Sequence, residues 1–366
     1  MTGVTQRPGL RAVASVARMA PYALAGALPS GTVPLAQNES AFSASPQALA
    51  AGQAALAQAA EYPDPDWTDL RAAIAQVHGL DPGLLLCGAG SMELIGALIR
   101  AFAGPGDQVL SPEYGYLFTD TAAAQAGADA VRVAERAFTV CIDTLLGAVT
   151  PQTRIVFVCN PGNPTGTRIA NAQILRLRDG LPPDVVLAVD QAYGEFDDQP
   201  AGPVFDLVAG GNTVVFRTLS KAYGLAAARC GWCAAPPAIG TEMRKLLNPN
   251  NVTGVSQAMC AAALRDQPHM LAIAAQTAKL RADLSAQLSA AGFAVPQSHT
   301  NFVLVGFGTA AAAQSADAAL RRAGLMVRGM GGYGLPAHLR ITIGTAPVMQ
   351  QVARTLLSWK ETYHAE

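Results

Sequence analysis

From about residue 85 to residue 235, short apolar runs alternate with stretches whose apolar positions recur at helical spacing. That alternation predicts βαβ units around a mostly parallel sheet. A sheet covered by helices on both faces buries its strands on both sides, so they read as unbroken apolar runs. Three segments read that way: Arg154–Asn160, Val185–Asp190 and Thr213–Arg217. Each stops in a polar cluster, and open α/β sheets bind ligands outside the carboxyl ends of their strands. Residues 160–166, 190–193 and 218–221 are therefore expected to meet at one edge of the sheet.

After Pro249 the texture changes to an Ala-rich helical region over about 256–291, broken once near Gln267-Pro268. Apolar segments return at Asn301–Val305 and Leu339–Ile343 with Gly-rich turns between them, the pattern of a smaller α+β domain. The expected organisation is an N-terminal arm over 1–35 that packs with the small domain, a large domain over 36–250 and a small C-terminal domain over 251–366 that opens on a long connecting helix. No internal repeat or long low-complexity tract interrupts it.

Composition narrows the partners. Hydrophobic residues make up 51% of 366, enough for a large core, while charged residues are only 14% and the formal net charge is −1. No basic field exists to draw in nucleic acid or an anionic membrane, so small-molecule chemistry is the expectation. The longest apolar runs have strand length, far short of the roughly 20 residues of a membrane helix. Arg7, Arg11 and Arg18 precede the first acid, Glu39, which reads as a basic arm rather than a transit peptide. Asn38-Glu-Ser and Asn251-Val-Thr match a glycosylation sequon without a secretory signal, and the expected location is the cytoplasm. Of six scattered cysteines only Cys230 and Cys233 have CxxC spacing. In a strand such residues face opposite ways and cannot share a metal. The five histidines show no ligand spacing.

The chemistry concentrates at three places. Lys221, in Thr218-Leu-Ser220-Lys221, follows a buried strand and precedes Arg229 by eight positions. Most lysines are solvated, but one acting as a Schiff-base nucleophile needs desolvation and neighbouring cations to lower its pKa, and this placement offers both. Asp190 closes an apolar run, where a carboxylate is costly unless a cation such as a protonated pyridine nitrogen meets it; capping the next segment is the plainer role. Tyr193 and the amide of Asn163 could then donate to a phenolic oxygen of the same ring. Gly88-Ala89-Gly90-Ser91-Met-Glu93 reads as strand, tight turn and helix N-terminus, with the amides of Ala89, Gly90 and Ser91 converging on a phosphate. Glu93 replaces the third glycine of a dinucleotide fingerprint, which weakens an NAD reading.

Together these segments resemble the fold-type I pyridoxal-phosphate aminotransferases, class I/II, and within them the histidinol-phosphate aminotransferase group, over nearly the whole chain. The matching pieces run in family order: Asn38-Glu39, Tyr62-Pro-Asp64, Gly88-Ala-Gly-Ser91, Pro112-Glu-Tyr114-Gly-Tyr116, Asn160-Pro-Gly-Asn163-Pro-Thr-Gly166, Asp190-Gln-Ala-Tyr193, Ser220-Lys221, Arg229 and Leu339-Arg340-Ile-Thr-Ile-Gly344. The resemblance implies an α/β fold with a mostly parallel, seven-stranded-type sheet sandwiched by helices, plus a smaller α+β domain. It implies pyridoxal 5′-phosphate on Lys221, which also shuttles the substrate's proton as general base and then acid. Asp190, Tyr193 and Asn163 would tune the ring, and Tyr114 would stack on it. Thr218, Ser220 and Arg229, with Ala89, Gly90 and Ser91, would hold the phosphate.

Tyr62 resembles the tyrosine that reaches this phosphate from a neighbouring subunit, implying a homodimer. Arg340, with Asn163, matches the clamp on the substrate α-carboxylate. Tyr22 and Arg328 correspond to the residues that meet the donor's distal anion. The arm departs from the family pattern, with Asn38-Glu-Ser-Ala41 for Asn-Glu-Asn-Pro and Ala23-Leu-Ala-Gly26 for Pro-Gly-Lys, so related or aromatic amino acids stay open as donors. The implied activity is a ping-pong transamination between an amino acid and 2-oxoglutarate. A decarboxylase or lyase of the same fold, like threonine-phosphate decarboxylase, is one alternative, and a non-catalytic cofactor-binding regulator is another.

Overall fold

A computed structural model describes residues 9–17, 19, 31–199 and 202–363. Among them the chain forms twelve strands: β1 (Val33–Pro34), β2 (Leu85–Gly88), β3 (Gln108–Pro112), β4 (Asp129–Val133), β5 (Thr153–Cys159), β6 (Val186–Asp190), β7 (Thr213–Thr218), β8 (Gly231–Ala234), β9 (Phe302–Gly306), β10 (Leu325–Met326), β11 (Arg328–Gly329) and β12 (His338–Thr342). Seven of them make one sheet in the order β2-β8-β7-β6-β5-β3-β4. β8 alone runs against its neighbours β2 and β7, and the other adjacent pairs are parallel.

The three apolar runs become β5, β6 and β7, shifted by a residue at most ends, and every residue of β6 and β7 is buried. Their aliphatic side chains share one buried cluster with those of the helices Ser91–Phe102 and Asn171–Gly180, and strands buried in this way show no alternation. Because β8 is reversed, its first residue lies at the edge where the other strands finish. Gly231 pairs with Gly88 on one side and with Thr218 on the other. That edge gathers the turns that follow β2, β3, β5, β6 and β7.

Two hydrophobic clusters divide the core. The larger, around the seven-stranded sheet, includes Trp67, Ile95, Phe157, Phe216 and Trp232. The smaller includes Leu284, Val303, Leu320, Ile341 and Trp359, around the antiparallel sheet β11-β12-β9. The helical connector after residue 250 divides between the two clusters. The Ala-rich helix Gly254–Arg265 packs on the helices Pro46–Ala55 and Thr68–His78 of the larger unit. It approaches so closely that a Cβ on Gly52 would meet Met259 Cγ at 2.5 Å. Ownership changes within the helix Gln267–Ala290: Met270 and Ala274 belong to the larger cluster, Leu280, Leu284 and Leu288 to the smaller. The break near Gln267-Pro268 is observed, with Asp266 ending one helix and beginning the next.

The arm divides as well. β1 pairs in parallel with β10, and Leu35 joins the smaller cluster. Ala14–Ala17 instead lies against the helix Phe118–Ala126 of the larger unit. No helix among the described residues is long and apolar enough to cross a membrane.

Candidate active site

β6 ends on Asp190, 3% exposed, whose Oδ1 accepts the Ala192 amide at 3.0 Å. Burial raises its carboxyl to about 7, against the pull of that amide and of the cations Lys221 and Arg217. A carboxylate so placed lacks a full counter-charge. Three residues past β7, Lys221 directs Nζ to the Gln37 carbonyl at 3.1 Å. Burial lowers its amine to about 8, assisted by Arg340 and Arg229 and opposed by Glu39 and Asp190. The two groups that sequence reasoning paired as cofactor anchors thus act electrostatically on one another across a single site.

The residues expected to hold a phosphate converge where β2, β7 and β8 meet. The Thr218 hydroxyl lies 3.0 Å from Ser220 Oγ and accepts the Ser220 amide at 3.1 Å. Arg229 takes a left-handed backbone (φ 49°) and donates Nη1 to the Ala226 carbonyl at 3.0 Å. A Cβ on Gly90 would come within 2.5 Å of Arg229 Nη2, and one on Gly231 would collide with the Ser91 amide. Only glycine allows these approaches. Gly90 also sits at φ 86°, and no side chain caps the helix Ser91–Phe102 that follows it. An uncapped helix N-terminus between a guanidinium and two hydroxyls fits a phosphate.

The expected convergence of three amides is narrowed. Glu93 Oε2 accepts the Ala89 amide at 2.6 Å, and the Gly90 amide bonds to the Gly88 carbonyl at 2.7 Å. Ser91 is the one of the three amides left at the helix mouth. Glu93 is itself held by Asn251 Nδ2 at 2.7 Å, and Trp67 donates to Asn251 Oδ1 at 3.1 Å. The acid that breaks the dinucleotide pattern therefore locks the turn from below.

The opposite wall comes from the smaller unit. Arg340 on β12 is buried; it donates Nη1 to Asn163 Oδ1 at 2.5 Å and Nη2 to the Ala36 carbonyl at 2.7 Å, over the Phe302 ring. Phe302 in turn meets Tyr193 edge-on at 5.2 Å between centroids. Burial pushes the Tyr193 phenol up, so it remains a protonated donor. Arg328 on β11 is the register partner of Arg340 and half-buried. Tyr114, on the turn after β3, packs against Phe138, and its amide bonds to Glu135 Oε1 at 3.2 Å. Tyr62 is 89% exposed. Tyr22 lies outside the described residues.

Sequence reasoning left four contributors without a role. Gln37 receives the Lys221 amine, and Asn38 Nδ2 donates to Tyr193 Oη at 2.8 Å. Arg217 and Glu195 form a buried ion pair at 3.5 Å beneath the Asp190–Tyr193 turn. Arg217 also points Nη1 at Gln191 Oε1, at 3.4 Å. The one legible signal was Arg217 itself, a cation inside an otherwise apolar run.

The residues 30–356 match the model of the aminotransferase class I and II family. A histidinol-phosphate aminotransferase from Ruegeria sp. is 39% identical over 360 residues, 98% of this chain and 99% of that one. Another, from Jannaschia sp., is 42% identical over 310 residues, 85% of this chain and 86% of that one. Among solved structures, the histidinol-phosphate aminotransferase of Sinorhizobium meliloti in complex with pyridoxal 5′-phosphate superposes with a TM-score of 0.85. It has 28% identity and covers 90% of both chains.

Proposed function

The chain belongs to the class I and II aminotransferases, and from that premise we propose that it moves the amino group of histidinol phosphate, or of a closely related amino acid, to 2-oxoglutarate. It is a pyridoxal-phosphate-dependent transaminase. The observation that carries the reading is the meeting of Lys221, Asp190, Arg229 and Arg340 around one site built from both units. The donor set suits the cofactor: a hydroxyl, guanidinium and helix-end cradle for its phosphate, and a buried, under-neutralised carboxylate for its ring nitrogen. Bound there, pyridoxal 5′-phosphate supplies an electron-withdrawing ring that stabilises negative charge at the substrate Cα.

The chain's own residues do the rest. Lys221 Nζ, its amine lowered to about 8, would hold the cofactor at its aldehyde carbon and would accept and return the substrate Cα proton. Asp190 holds a proton on the ring nitrogen, and its burial keeps water from competing. Tyr193 and Asn163 donate to the ring oxygen; Arg340 already occupies Asn163 Oδ1, which turns Nδ2 outward. Ser91, Thr218, Ser220 and Arg229 fix the phosphate, with Tyr62 reaching it from a second copy of the chain in a homodimer. Tyr114 covers the ring. Arg340 orients the α-carboxylate with its planar fork, and Arg328 meets the distal phosphate.

The test is a donor screen on purified protein, followed by absorbance. Wild type is expected to be yellow and to return glutamate from 2-oxoglutarate with histidinol phosphate as the best donor. Lys221→Ala is expected to lose both colour and turnover. Carbon dioxide release without glutamate formation would replace the transaminase reading with a decarboxylase.

A further inference from the structure

Asn38 is 2% exposed and sits in a left-handed backbone conformation (φ 56°). Its surroundings specify its orientation. The Asn38 amide donates to Thr342 Oγ1 at 3.1 Å, so the Thr342 hydroxyl proton is turned to Asn38 Oδ1, 3.3 Å away. Asn301 Nδ2 donates to the Asn38 carbonyl at 3.0 Å. With Oδ1 and the backbone engaged by the smaller unit, Nδ2 is left to face Tyr193 Oη at 2.8 Å in the larger one. A phenol oxygen that accepts there must send its own proton elsewhere, and no acceptor for it is found among the described residues.

We propose that Asn38 is a positioning residue: seated by Thr342 and Asn301, it makes Tyr193 a one-way donor toward the cofactor's ring oxygen. The proposal rests on the cofactor reading above and deepens it. Arg340 does the same to Asn163 from the same side. Both ring-oxygen donors are thus oriented by residues bound to β12 or lying on it, and their hydrogen bonds depend on how the arm and the smaller unit sit against the sheet. A donor to the ring oxygen stabilises the form of the bound cofactor that has lost its proton, so weakening the donor raises the chromophore's proton affinity.

The experiment is a pH titration of the visible band of protein reconstituted with pyridoxal 5′-phosphate. Asn38→Ala is expected to raise the band's proton affinity about threefold to fivefold, and Tyr193→Phe about tenfold. The double variant should match Tyr193→Phe alone, because Asn38 acts only through that hydroxyl. Asn38→Asp keeps the size but can only accept, which turns the phenol away from the ring and gives a rise near that of Tyr193→Phe. Should Asn38→Ala fail to fold, Asn38→Asp and Thr342→Val carry the same test, the latter with a smaller rise. An unmoved band, or effects of Asn38 and Tyr193 that add in full, overturns the proposal. A wild-type protein without any visible band removes the cofactor reading and the proposal together.

Discussion

Arg328 and Arg340 are register partners across the antiparallel pair β11–β12 and project from one face of the small sheet. Like charges directly opposite each other destabilise a sheet, and the arrangement suits a substrate that brings a separate anionic group to each. Arg340 is already drawn to Asn163 and Ala36, and Arg328, less buried, is the one free to reach a group farther from the reacting carbon. Arg328→Ala is expected to lower kcat/KM for a phosphorylated donor by roughly 10- to 100-fold, the loss of one charge-assisted contact. A neutral donor should change by no more than about twofold in steady-state assays. Equal losses on both donors would argue that Arg328 supports the fold instead.

Lys221 gives the pH dependence of cofactor capture. Its amine is lowered to about 8, first by burial and then by Arg340, with Glu39 pulling the other way. Only the neutral amine attacks an aldehyde, so capture of pyridoxal phosphate by the apoprotein should rise with pH and reach half its maximum near 8. Arg340→Gln removes a repelling cation and should move that midpoint upward. Glu39→Gln removes an attracting anion and should move it downward. Stopped-flow absorbance measures all three, and a midpoint indifferent to both substitutions would show that burial alone sets it.

How much of this was legible beforehand depends on what each residue had to signal. β5, β6 and β7 were readable because strands buried on both faces show apolar runs without alternation, and Asp190 and Lys221 stood out where those runs stopped. The unit boundary was not readable. The helix Gln267–Ala290 serves two cores with one Ala-rich composition, and only the leucines at 280, 284 and 288 mark the change. The capture of the Ala89 amide by Glu93 escaped notice because turn chemistry was read from glycine spacing, which is silent about a carboxylate folding back. Asn38 was visible only as part of a motif; its work is done with Thr342, Asn301 and Tyr193, the nearest of them 155 positions away.

Glu135 offers a stability test on the turn that carries Tyr114. Its Oε1 holds the Tyr114 amide, its Oε2 is buried without a hydrogen-bond partner, and burial raises its carboxyl to about 7, with Glu113 adding to the rise and Arg132 opposing it. The folded-state value lies above the unfolded one, so the carboxyl costs stability as pH rises through about 4.5 to 7, and the cost is complete above that. Gln keeps the acceptor for Tyr114 and carries no charge. Glu135→Gln is expected to be more stable than wild type by about 1–2 kcal/mol at pH 8 and indistinguishable from it near pH 4. Urea melts at the two pH values decide, and a gain that persists at low pH would trace to packing rather than ionisation.

Asp190 shows the same sign with the opposite functional outcome. Burial raises its carboxyl to about 7, so without a cationic partner the ionised side chain weighs against folding once the pH passes its unfolded value, and fully so above about 7. Asp190→Asn should therefore stabilise the apoprotein at pH 8, by on the order of 3 kcal/mol at most, and leave it unchanged at pH 4. The cofactor reverses the ledger, because its ring nitrogen supplies the missing charge: wild type should gain far more thermal stability on reconstitution than Asp190→Asn does. Turnover should fall at least about 100-fold in the variant, since a neutral amide cannot hold the ring nitrogen protonated. Calorimetry of apo and reconstituted protein separates the two effects. An Asp190→Asn protein that is less stable than wild type in the apo form at pH 8 would mean that the carboxylate is neutralised from within, by Arg217 and Lys221, and that the ring nitrogen is not its intended partner.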